Sequence, residues 1–281
     1  MSMRALSRKV EQLVNGREVS DGAGVRLQRV LNQSLQRRLD PFLMLDEFRS
    51  DNPDDYIAGF PSHPHRGFET VTYMLDGRMR HRDNAGNEGL LGAGGMQWMT
   101  AGRGIVHSEI PEQQDGLMHG FQLWINLPAA DKMAAPSYRD IPAVDIPQWQ
   151  DADGNTLKLL AGRFDGRQGA IERPVTDPLY LDIALRPGNR LWLPLPSSHH
   201  AFLYLYQGAV QAADSVMGER QLAVLDNDGD GIELLNGSAE SRLLVLAARP
   251  LNEPIAQWGP FVMNTRQEIE QAMEDYSEGR F

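Results

Sequence analysis

The chain has 281 residues, 41% of them hydrophobic and 23% charged, which excludes disordered and membrane-spanning compositions; at roughly 100–200 residues per domain it should fold as two. Its 38 acidic and 27 basic residues leave a net charge of −11, which repels a phosphate backbone and disfavours direct nucleic-acid binding. Cysteine is absent, so disulfides and thiolate chemistry are excluded and any metal must be held by nitrogen and oxygen.

The first twenty residues, MSMRALSRKVEQLVNGREVS, lack the apolar core of a secretory signal. No run of about 18 apolar residues follows, so a cytoplasmic protein with no membrane segment is expected. Short apolar or alternating runs at 68–75, 96–99, 120–125, 179–185, 201–206 and 242–247 are punctuated by glycine and proline, the texture of an all-β protein. The proline-, alanine- and aspartate-rich stretch 128–154 separates two strand-rich halves of similar rhythm. This gives an N-terminal domain over 1–140 and a C-terminal one over 141–281, a duplicated β-barrel without a visible sequence repeat. A single helix is expected at 265–277, where Thr265 and Glu268 form a capping box and Gly279 ends it.

His63-Pro64-His65 puts two imidazoles on one face, because side chains two apart in extended chain point the same way. Pro64 suits an edge strand or a strand entry. His107-Ser108-Glu109 repeats the spacing with an imidazole and a carboxylate. On neighbouring strands the two pairs would bring His63, His65, His107 and Glu109 to one point. Glu69 competes as a ligand, having the parity of His63 and His65 if the strand runs regularly. Such donors suit one divalent ion, Fe, Mn, Co, Ni, Cu or Zn, with up to two octahedral positions open.

The other histidines carry weaker signals. His81 and His119 read as structural hydrogen-bonders, and the adjacent His199 and His200 would face opposite ways, leaving the C-terminal domain metal-free. The acidic run 226–231 lacks the Glu a calcium loop needs at its twelfth position, where Gly237 stands, and reads as a hairpin turn. Trp98, Phe121 and Trp124, on strands near the histidine segments, are candidates to line an aromatic substrate pocket.

The strings DGAGVRLQRVL (21–31), LDPFLMLDEF (39–48), FPSHPHRGFETVTYMLDG (60–77), MQWMTAGRGIVHSE (96–109), HGFQLWINLP (119–128) and PFVMNTRQEIEQA (260–272) resemble the pirin family of the cupin superfamily. The resemblance implies two cupin-type antiparallel β-barrels, a bicupin, with metal in the first barrel alone. Carried over by position, the ligands are His63, His65, His107 and Glu109, favouring Glu109 over Glu69, and iron(II) is the favoured ion. Family members are described as quercetin 2,3-dioxygenases, which open a flavonol ring with O2 and release carbon monoxide, or as a transcriptional coregulator. The first implies an aromatic enol substrate with Glu109, or alternatively Glu69, as general base; the second implies a metal-bearing regulatory protein with a protein partner and no turnover. A monomer is the default expectation for either.

Overall fold

In the computed structural model, which describes residues 5–281, nearly all regular structure is antiparallel strand, and one short helix closes the chain. Two compact units form, each built from a seven-stranded and a four-stranded antiparallel sheet, the two-sheet plan expected of a cupin-type domain.

The units are not consecutive halves of the chain. One joins 17–33, 42–144 and 251–281; the other joins the segment ending at Gly16 with 34–41 and 145–250. The division between 144 and 145 falls in the proline-rich stretch, but the ends are exchanged relative to domains over 1–140 and 141–281. Val10–Asn15 pairs with Gln221–Leu225, and the Arg266–Ser277 helix, with the Ala256–Trp258 and Phe261–Met263 hairpin, belongs to the unit of the histidine segments. Thr265 caps the helix with the reciprocal Glu268 contact, and Ile269 and Ala272 are its buried positions.

In the histidine-bearing unit the seven-stranded sheet runs Ser137–Ile141, Met96–Thr100, Phe68–Asp76, Met118–Asn126, Phe42–Ser50, Val25–Leu31, Arg17–Asp21. Its partner sheet runs Phe60–His65, Ile105–Pro111, Met79–Asp83, Glu88–Leu91, which leaves the Pro64 strand at an edge, where a missing N–H costs no ladder bond. The chain crosses between the sheets at Arg66-Gly67. Gly67 has φ +88 there, a conformation suited to glycine, so the parity of His63 and His65 does not extend to Glu69.

The second unit has the same sheet sizes but another interior. Leu157, Leu181, Leu203 and Val245 from its large sheet meet Leu193, Ile232 and Leu234 from its small one in a single aliphatic cluster. Its acidic run 226–231 is not a hairpin turn. It carries the chain from Gln221–Leu225 in one sheet to Gly231–Asn236 in the other, and Asp226 and Asp230 accept hydrogen bonds from the Lys9 and Leu6 amides.

Candidate metal centre and its cavity

His63 and His107 stand directly opposite each other on adjacent antiparallel strands, and His65 follows two residues along the first. The three rings converge, with centroids 4.6 Å apart for His63 and His65, 4.5 Å for His63 and His107, and 4.9 Å for His65 and His107. One donor atom from each lies within 4.8 Å of the others.

The protonation pattern follows from the partners. His63 Nδ1 is 2.8 Å from the Pro61 carbonyl, which only accepts, so Nδ1 is the donor and Nε2 is the nitrogen turned toward the other rings. That Nε2 sits 3.0 Å from His65 Nε2, about the separation of two nitrogens each ~2.1 Å from one ion at a right angle. Burial, then His107 and His63, holds the His65 imidazole well below 6.5; burial, then His63 and His81, does the same for His107. His107 is buried with no hydrogen-bond partner at either ring nitrogen. Converging imidazoles, two of them held toward the neutral form and one with both ring nitrogens unpartnered, are what a divalent ion requires, and the donor set fits one.

Glu109 is not part of the mutually close histidine set. A bulge shifts the register between His107 and Glu109, which face His63 and Phe60 respectively. The carboxylate is buried, with Oε1 3.0 Å from Thr72 Oγ1 and Oε2 3.5 Å from Gln122 Nε2 on the opposing sheet. Glu69 is buried as well, and accepts a 2.7 Å bond from Thr100 Oγ1, its cross-strand neighbour.

A cavity of about 650 Å³ opens beside this cluster, within the ~300–1,000 Å³ usual for small-molecule sites. His63, His65, Glu109 and Trp124 line it; His107, buried, does not. Trp124 meets His65 edge-on at 5.3 Å and Phe68 at 4.3 Å. Trp98 and Phe121 do not line it. Alternation along the strands turns Gln122 and Trp124 inward and Phe121 outward, where it lies over Tyr73 at 6.2 Å; Trp98 pairs with Val71 in the same outward set.

The inward row contains residues that motif reading did not single out. Arg29, Asp46, Gln122, Thr72 and Gln97 are successive cross-strand partners over five strands. Arg29 grips Asp46 with two bonds, at 2.9 and 2.7 Å, and also reaches Asp21 at 2.9 Å, contacts with Asp46 first among them that raise its pKa. The available signal was a polar residue inside an apolar strand, Asp46 in FLMLDEF and Gln122 in FQLWI. Of the remaining histidines, His81 lies 2.8 Å from Gln97 Nε2, His119 Nε2 is 2.8 Å from Glu47 Oε1, and His200 Nδ1 bonds the Asp40 carbonyl at 2.9 Å. His199 is buried, 3.4 Å from Asp177.

Two cupin domains, the first with an imidazole cluster able to hold a metal, define a metal-competent bicupin. The chain belongs to the pirin family: residues 24–125 match the family described as Pirin and residues 180–281 the Pirin C-terminal cupin domain. It is 54% identical over 281 residues to a Pseudomonas aeruginosa protein named "Putative quercetin 2,3-dioxygenase", covering 97% of each chain. It is 40% identical over 276 residues to human Pirin, covering 96% of this chain and 92% of that one. The solved quercetin 2,3-dioxygenase from Acinetobacter baumannii superposes with a TM-score of 0.91 at 34% identity, over 98% of this chain and 99% of that one. Among the described residues no helix is long and apolar enough to cross a membrane.

Proposed function

We propose that this chain is a metal-dependent dioxygenase that opens the ring of a flavonol-like enol with O2 and releases carbon monoxide. The observation that carries the reading is the opening of the histidine cluster and the Glu109 carboxylate onto one cavity with an aromatic wall at Trp124. His63, His65, His107 and Glu109 would hold the ion, iron(II) by preference. When bound it supplies Lewis acidity and a template for an oxygen chelator, such as a 3-hydroxyl beside a carbonyl.

The protein's own groups do the rest. Thr72 and Gln122 hold Glu109 facing the cavity, where its carboxylate is the base that takes the enol proton. Glu69 instead accepts from Thr100 and does not line the cavity, which favours Glu109 as the base. Met44, Phe48, Met79 and Trp124 give the cavity apolar surfaces that receive an aromatic body and exclude water. Quercetin consumption should proceed with matching O2 uptake and loss of the flavonol absorbance band, stop on chelation, and fall sharply in Glu109→Gln. An unchanged rate in that variant removes the base role; metal-loaded protein that consumes neither quercetin nor O2 removes the enzyme and favours the regulatory reading.

A further inference from the structure

Residues 251–281, far from the histidines in sequence, close over the two backbone segments that carry them. Arg66 directly follows His65 and is buried. Its Nε donates to the Arg103 carbonyl, its Nη1 donates to Asp275 Oδ2 at 2.7 Å, and its guanidinium carbon lies 4.3 Å from the centre of the Phe281 ring. The same residue is tied through its backbone: its amide donates to the Pro260 carbonyl at 3.3 Å and its carbonyl accepts from the Val262 amide at 3.0 Å. Lys132 Nζ, also buried, bridges the Gly67 and Val262 carbonyls at 2.7 and 2.9 Å. On the other segment, Gly104, just before the Ile105–Pro111 strand that bears His107, lies against the Phe281 ring so closely that an added Cβ would sit 2.8 Å from it.

One guanidinium therefore links the exit of His65, the approach to His107 and the C-terminal helix. We infer that Arg66 is a positioning residue: clamped between Asp275 and Phe281, it presets the convergence of His65 and His107, so that metal affinity is controlled from the C-terminal helix. The inference rests on the reading of the three histidines as metal ligands. The three rings, with centroids 4.5–4.9 Å apart, ride on two separate backbone segments, so the placement of those segments sets how closely their donor atoms converge. Arginine suits the task because it donates in two directions in one plane while that plane stacks on an aromatic ring. Asp275 is itself held in place by Gln271 at 2.9 Å and Arg280 at 2.6 Å, so the clamp is anchored in the helix and the residues just after it. Groups that support a metal ligand without touching the ion typically change affinity by about 10–100-fold.

Titration of the metal-free full chain with Co(II), followed by calorimetry and by the visible absorption of the bound ion, tests this. Asp275→Asn and Phe281→Ala should each raise the Kd about tenfold or more and alter the Co(II) bands, and Asp275→Glu should recover much of the affinity. Thermal unfolding of the metal-free variants reports whether they fold. Phe281→Ala removes the ring that packs on Arg66, Gly104, Phe261 and Tyr276 but leaves the Arg66–Asp275 pair in place, and so keeps the test available if Asp275→Asn does not fold. A wild-type Kd and spectrum in both variants, with binding lost in His107→Ala, overturns the positioning role and leaves the metal reading standing. Binding that survives His107→Ala unchanged overturns both.

Discussion

Thr72→Val deletes one hydroxyl and keeps the volume and β-branched shape that suit the Phe68–Asp76 strand. The hydroxyl has one proton to divide between two acceptors, Glu109 Oε1 at 3.0 Å and Gln122 Oε1 at 2.6 Å, in surroundings that leave Thr72 1% and Glu109 5% exposed. An undivided hydrogen bond to a buried carboxylate contributes about 1.5–3 kcal/mol, and at 1.4 kcal/mol per factor of ten this sets an upper bound of roughly a ten- to hundredfold effect. If Glu109 must face the enol to take its proton, the loss should fall on kcat, since the apolar walls that bind the aromatic body are untouched. Steady-state kinetics on quercetin with metal-loaded enzyme, beside thermal unfolding, separate the possibilities. A lowered melting temperature with kcat within twofold of wild type would show that Thr72 serves stability alone, and would refute the argument that it aims the carboxylate.

Other outcomes follow from the same geometry. Trp124→Ala should raise KM for quercetin several-fold, because it removes an apolar wall of the cavity and the ring set edge-on to His65; an unchanged KM would place the aromatic substrate elsewhere. Gly67→Ala should cost about 2–4 kcal/mol in urea unfolding, since its φ is +88 and the new Cβ would sit 2.0 Å from the Val262 carbonyl oxygen; wild-type stability would contradict the sheet crossing described at this residue. Acid should weaken the metal-free protein. The folded His65 and His107 imidazoles titrate well below 6.5, so as pH falls under about 6.5 the unfolded chain takes up protons the folded chain refuses, and stability drops by up to ~1.4 kcal/mol per pH unit for each. A His65→Ala, His107→Ala double variant should lose less stability than wild type between pH 7 and 5; an equal loss would contradict this.

Local chemistry made much of the fold legible. The run 179–185 is the strand Leu179–Leu185, and the capping box at Thr265 and Glu268 starts a helix ending at Ser277, because alternation and capping act within a few residues. The i, i+2 spacing of HPH placed His63 and His65 together as the structure has them, and His107 joins them, but Glu109, expected from HSE at the same point, lies beyond a register shift and outside the mutually close set. What escaped depends on partners distant in sequence. Glu69 shares strand parity with the histidines on paper, but a sheet crossing at Gly67 breaks it. Trp98 and Phe121 face away from the cavity by one residue of register, which no local pattern specifies. The exchange of chain ends is set by pairings such as Val10–Asn15 with Gln221–Leu225, across most of the chain. The polar row from Arg29 to Gln97 exists only once five strands are aligned.

The most direct test is metal analysis of protein purified without oxygen, wild type beside a His63→Ala, His107→Ala double variant. One divalent ion per chain in the wild type and almost none in the variant is the expected result. Equal metal in both would show that these imidazoles do not hold the ion.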